Sequence, residues 1–127
     1  MIEIDESEFP LVLVHFRDAV GQDDWDAYVA MSHRHFDAGS RFGLALRTTD
    51  LSMPPVGLLK QIGKWVNGNG ETMRRHMVCT SMCVPSALIR GAVKFINRVA
   101  PPPVEQALFA DWDETLAWAQ LRIREQI

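Results

Sequence analysis

Short runs rich in aliphatic and β-branched residues alternate with amphipathic helical stretches along nearly the whole chain, and the links between them are brief. Met1 to Asp5 and Pro10 to Phe16, separated by Glu6, Ser7 and Glu8, read as an opening β-hairpin, with Pro10 suited to the first position of its strand. Strand patterns then recur at Phe42 to Thr48, Arg75 to Ser81 and Val104 to Ala110, with a helical pattern following each. Links of this length between strand and helix allow right-handed parallel crossovers and little else. The expected fold class is therefore α/β: a mostly parallel sheet with an N-terminal β-hairpin and four helices on its faces. The pattern does not give the strand order.

Each helical stretch has a marked side. In the first, Trp25, Tyr28, Val29, Met31, Ser32 and Phe36 fall on one arc, His35 lies inside it, His33 points away, and the helix ends near Gly39. From about Val56 to Val66, Leu58, Leu59, Ile62, Trp65 and Val66 share one side while Lys60 and Lys64 occupy the other. Asn67, Gly68, Asn69 and Gly70 read as a loop. Pro85 is a favoured first residue for the next helix. There Leu88, Ile89, Ala92, Val93, Phe95, Ile96 and Val99 gather within an arc of roughly 160°, opposite Arg90, Lys94, Asn97 and Arg98. Pro101 to Pro103 stop it. Asp111 with Glu114 resembles a capping box for a last helix, Trp112 to Arg124, whose Leu116, Ala119 and Ile123 make an inward stripe with Trp112. Ala117, Trp118 and Leu121 fall on a second side of it, marking Trp118 and Leu121 as a candidate interface with the hairpin edge or a second copy of the chain.

With 127 residues, 47% of them hydrophobic and 23% charged, the chain fits one domain over 1–127 that needs neither metal nor disulfide to fold. A net charge of −3 argues against a nucleic-acid partner. That average conceals a polarity, since cations outnumber acids only between residues 51 and 110. No apolar run reaches the roughly 18 residues of a transmembrane segment, and the N-terminus lacks a signal-peptide pattern, so a cytoplasmic location is expected. Cys79 and Cys83 have no second pair to complete a zinc site and read as buried free thiols.

Catalytic patterns are weak. A response-regulator receiver needs clustered acids and a Lys after its last strand; Asp18 and Asp50 follow strands, but the Lys is missing, leaving ordinary strand-end acids. A flavodoxin would need a Ser/Thr/Gly loop after the first strand, where this chain has Arg17, Asp18, Ala19 and Val20, so a flavin is not expected. His33 and His35 diverge by about 160° on a helix and cannot grip one metal. His15 and His76 fall on or beside strands, and a nucleophile would require Cys79 or Cys83 to meet a histidine in space. Cys83, at a strand end before a helix, is the thiol whose position suits a depressed pKa. No cofactor or metal is expected.

The order of elements, together with the ending Leu108-Phe109-Ala110-Asp111-Trp112-Asp113-Glu114-Thr115-Leu116-Ala117-Trp118, resembles the SpoIIAA-like branch of the STAS domains, the anti-sigma-factor-antagonist fold. In the phosphorylated antagonists a strand runs into Asp-Leu-Ser and then into Asp-Ser-Ser-Gly-Leu at a helix N-terminus. This chain has Asp50-Leu51-Ser52, then Val56-Gly57-Leu58 after a shorter connection, so Val56 stands where the resemblance would place the serine. A phosphate there would meet free amides and the helix dipole; with Val56 in place, and Ser52, Thr48 and Thr49 as poor substitutes, the serine phosphoswitch is expected to be absent.

The resemblance implies a regulatory, non-catalytic module that binds a protein partner or itself as a homodimer. Its candidate binding residues are Ser52, Val56 and Gly57, with Lys60, Lys64, Arg90, Lys94 and Arg98 as a basic face if both helices lie on one side of the sheet. The fold also looks similar to lipid-binding Sec14-type domains. That suggests the alternative of a carrier for a small apolar ligand, lined by Met31, Met53, Met77, Trp65 and Phe95.

Overall fold

The two opening runs pair as expected: β1 (Ile2–Asp5) lies antiparallel to β2 (Leu11–Arg17), with Ile4 opposite Val14. A computed structural model covering residues 1–127 adds β3 (Phe42–Thr49), β4 (Met77–Cys83) and β5 (Gln106–Phe109) to this hairpin, each parallel to the strand before it. The five strands stand side by side in chain order. Five helices accompany them: α1 (Gln22–Asp37), α2 (Val56–Gly68), α3 (Gly70–His76), α4 (Ala87–Val99) and α5 (Trp112–Gln126).

Chain-order strands joined by crossovers of one hand must carry every crossover helix on the same face. Alternation along the strands shows this directly. Val12, Val14, Phe42, Leu44 and Leu46 point into one core with Trp25, Tyr28, Met31, Phe36, Leu58 and Met73 from α1, α2 and α3. Leu11, Ala45, Val78 and Cys79 point the other way and meet α5 through Ala119, with Leu116 and Ile123 packed around it. A bulge in the β3–β4 register between Phe42 and Leu44 lets both Val78 and Cys79 reach that second face.

Polar ties hold α1 at both ends. The Asp24 carboxylate accepts from the backbone amides of Gly21 at 3.0 Å and Ile2 at 3.2 Å, joining its first turn to β1. The Gly21 amide is the chief reason that carboxyl is held low. Glu6, in the hairpin turn, reaches Arg34 at 2.9 Å and His35 at 2.5 Å in the last turns. Asp18 and Asp50, ending β2 and β3, adopt φ of 55° and 48°, a left-handed conformation that Asp tolerates better than most residues.

The structure corrects several expected boundaries. Residues 70–76, read as the end of a loop and the start of a strand, form the short helix α3, so there are five helices rather than four. The Asn69 side chain caps the break by donating to the Trp65 carbonyl at 2.8 Å, and α2 passes almost directly into α3. β4 accordingly begins at Met77 instead of Arg75. Pro85 precedes α4 rather than opening it; Ser86 is the cap, its hydroxyl accepting from the Ile89 amide at 3.4 Å. On α4 only Ile89 is fully buried, while Leu88, Phe95 and Val99 are 68%, 59% and 63% exposed. The wide apolar arc is present, but half of it has no protein above it.

Candidate functional site

Between the sheet and its crossover helices lies a cavity of about 210 Å³, and twenty of its twenty-seven lining residues are hydrophobic. Leu46, Thr80 and Met82 form the sheet side; Trp25 and Tyr28 come from α1, Leu58, Ile62 and Trp65 from α2, and Ile89, Ala92 and Ile96 from α4. The aromatic wall is rigid, because the rings of Trp25 and Trp65 meet edge to face at 5.6 Å and Trp25 stacks on Tyr28 at 5.2 Å. The Trp65 indole N–H is satisfied outside the cavity by His33 Nε2 at 3.2 Å. Burial pushes the Tyr28 phenol well up, so it is a neutral group at any ordinary pH. An engineered apolar cavity of about 150 Å³ stays dry and accepts benzene. This one is larger and similarly apolar, and it is partly open to solvent.

A second, more polar cleft of about 740 Å³ opens at the carboxyl ends of β3, β4 and β5, the usual ligand edge of a parallel sheet. Its charged side chains are Arg47, Asp50, Asp111 and Asp113. Asp111 is already committed as the cap of α5, accepting from the Glu114 amide at 2.9 Å, and Arg47 lies over the Trp112 ring at 5.3 Å. Cys83 lines this cleft but is buried. Contrary to the expectation of a depressed pKa, burial raises it, and Cys79 is pushed up to about 11 by the same cause. No set of three or more His, Cys, Asp or Glu side chains is placed to hold a metal ion. In alkylation at pH 7.5 followed by mass spectrometry, both thiols should react on the order of a hundredfold more slowly in the native chain than in denaturant.

The remaining sequence-selected residues separate cleanly. Of the five proposed lining residues, Trp65 and Met77 line the cavity; Met31 is buried in the α1 core, and Met53 and Phe95 are exposed. The helices α2 and α4 touch and share one side of the sheet. Lys60, Lys64, Lys94 and Arg98 are exposed. Arg90 is different: it is half-buried and donates to the carbonyls of Val84 and Pro85, both at 2.8 Å, so it ties the β4–α4 turn. Val56 and Gly57 are exposed at the start of α2, and exposed Ser52 donates its amide to the Asp18 carbonyl at 2.6 Å. Trp118 is not covered by the hairpin, which lies at the opposite edge of the sheet; it packs beside Phe109 of β5 at 6.4 Å and under the Arg122 guanidinium at 5.2 Å. Leu121 is exposed. The cavity itself was missed as a composite, because its members come from eight elements and the loops between them, and no spacing links them.

The topology finds a match among solved structures. A protein from Shewanella loihica PV-4, described as uncharacterized, of the DUF3478 family and with a SpoIIAA-like fold, superposes with a TM-score of 0.58 over 94% of this chain and 92% of its own, at 14% identity. The fold is SpoIIAA-like. No protein-family model matches the sequence, and no curated protein matches it. Within this SpoIIAA-like sheet the four crossover helices lie on one face and α5 alone on the other, so the cavity belongs to the α1–α4 side.

Proposed function

We propose that the chain is a non-catalytic binding module whose ligand is a small apolar molecule held between the sheet and helices α1, α2 and α4. The observation that carries this reading is the apolar cavity of about 210 Å³, larger than a packing defect and walled by rigid aromatic side chains. Native cores are packed to crystal-like density, so an apolar recess of this size that is partly open to solvent offers room for a ligand. The α4 helix, which forms one wall, buries only Ile89 fully and can move outward at little cost in buried area.

A module recognising a protein partner, or pairing with itself, draws less support. On α5 the suspected interface residue Trp118 is partly covered by Phe109 and Arg122, leaving Leu121 as the exposed apolar residue. The candidate cations on α2 and α4 stand at the cavity side of the molecule rather than on α5.

Trp25 and Trp65 line the cavity and serve as intrinsic reporters. Titration with 1-octanol should give a saturable change in tryptophan fluorescence. Ala92→Phe, which projects a ring into the void, should weaken that binding more than tenfold while leaving the melting temperature unchanged or raised. Unsaturable behaviour in the parent chain, or full binding by a well-folded Ala92→Phe variant, would sink the reading. Native mass spectrometry of the purified chain reports any retained ligand and the oligomeric state together.

A further inference from the structure

The outer face of α4 is unlike that of an ordinary surface helix. Its exposed residues are the apolar Leu88, Phe95 and Val99, the cations Lys94 and Arg98, and the small Ala87 and Gly91. None is acidic, and none is an uncharged polar residue. Leu88, Phe95 and Val99 stand at i, i+7 and i+11, so they form one stripe along a helix about 20 Å long. At 100° per residue the stripe lies roughly 100° to one side of buried Ile89, while Lys94 and Arg98 lie roughly opposite Ile89. The inner face is committed elsewhere: Ile89, Ala92 and Ile96 line the cavity, and Asn97 donates to Gln106 of β5 at 2.6 Å. No residue of the outer face lines the cavity.

The neighbouring helix adds charge of the same sign. α2 touches α4 on the same side of the sheet, and its exposed positions carry Lys60 and Lys64. None of Lys60, Lys64, Lys94 and Arg98 takes part in an ion pair. The chain has a net charge of −3, yet all 16 of its Asp and Glu residues lie outside these two helices.

Three kinds of occupant could cover such a face, and its chemistry separates them. A second copy in isologous contact would set Lys94 and Arg98 against their own copies, with no acid on either helix to pair them. A protein partner is a poor match, because most of these cations are lysines, which are depleted from protein interfaces, and α4 exposes no uncharged polar side chain to hydrogen-bond. A helix lying in a membrane surface has this composition, with Leu and Phe on the apolar flank beside Lys and Arg. No helix is long and apolar enough to cross a membrane, so the contact is with the surface alone.

We propose that α4 docks on the surface of an anionic bilayer, with Leu88, Phe95 and Val99 entering the headgroup region and Lys60, Lys64, Lys94 and Arg98 meeting lipid phosphates. This surface is separate from the cavity, and the proposal stands whatever the cavity binds.

The test is sedimentation of the whole chain with vesicles of phosphatidylcholine, alone or mixed in equal parts with phosphatidylglycerol. A cation near an anionic surface is worth about fivefold, so the mixed vesicles should be preferred by at least about tenfold. The preference should shrink as salt rises. Phe95→Ala removes a ring that would enter the headgroups and should weaken binding to mixed vesicles by about threefold to thirtyfold. Leu121→Ala, which trims an exposed residue of α5 across the sheet, should leave binding unchanged. Lys60→Gln/Lys64→Gln/Lys94→Gln/Arg98→Gln should bind both vesicle types equally. Each variant should melt within about 2 °C of the parent, since all these side chains are exposed. Parent-chain binding to neither vesicle, or equal binding to both, overturns the proposal and leaves the cavity reading untouched. Binding by Phe95→Ala as tight as the parent's overturns it too. A preference for poly-glutamate over mixed vesicles overturns it in favour of an acidic protein surface. A parent dimer that Phe95→Ala converts to a monomer overturns it in favour of a second copy.

Discussion

Phe42→Ala is expected to lower stability by about 3–5 kcal/mol, whereas Phe95→Ala should change it by no more than about 0.5 kcal/mol. Both are phenylalanines in regular elements, and their surroundings differ. Phe42 is 0% exposed at the start of β3 and lies within 6.4 Å of the rings of Phe9, His35 and Phe36, so truncation removes buried area and leaves a hole between the sheet and α1. Phe95 stands on the uncovered flank of α4 and exchanges little with the core. For a chain of this length about 4 °C of melting temperature accompanies each kcal/mol. The first variant should therefore melt on the order of 10–20 °C lower and the second within about 2 °C of the parent. A large loss in Phe95→Ala would mean that α4 is packed against something in solution, and its uncovered flank would then have to be abandoned.

The contrast between these two residues marks what periodicity can and cannot convey. The aliphatic run from Pro10 to Phe16 and the arc from Trp25 to Phe36 mark elements that are buried, because β2 is covered on both faces and the α1 arc lies against the sheet. The same arithmetic on α4 found an apolar arc just as broad, yet hydrophobic spacing records which side is apolar and says nothing about what covers it. The loop reading of Asn67 to Gly70 failed for a local reason: two glycines and two asparagines suggest a turn, but the Asn69 side chain bonds back to Trp65 and a second helix starts at once. Cys83 suited a reactive thiol by its position at a strand end, and burial reversed that. The basic residues of the candidate site were legible one by one. The cavity, which none of them lines, was not, since a recess is a difference between packed shapes and no residue encodes it alone.

A second strong effect is expected where α5 meets the sheet, at Gly43. This residue is buried in β3 on the face opposite the cavity, and a Cβ built there would lie 3.0 Å from the Cys79 sulfur and 3.0 Å from Ile123 Cδ1. Those distances are tighter than ordinary packing tolerates, and Ile123 comes from α5 itself, so the missing side chain sets how closely that helix can approach. The rest of the floor follows the same rule, with Ala45 and Ser81 on the strands facing Ala119 and Thr115, and the Ser81 hydroxyl donating to the Thr115 carbonyl at 2.9 Å. Gly43→Ala should therefore cost about 1–3 kcal/mol through overpacking, and Gly43→Val more, despite the better strand propensity of both replacements. Trimming the opposing side chain should relieve part of the strain: in a double-mutant cycle, Ile123→Val with Gly43→Ala should be less destabilised than the sum of the single changes by about 0.5 kcal/mol or more. Since the cavity lies on the other face, 1-octanol binding by folded Gly43→Ala should match the parent chain. A Gly43→Ala protein as stable as the parent would show that α5 rides higher on the sheet than these distances require. Strict additivity with Ile123→Val would place the clash elsewhere.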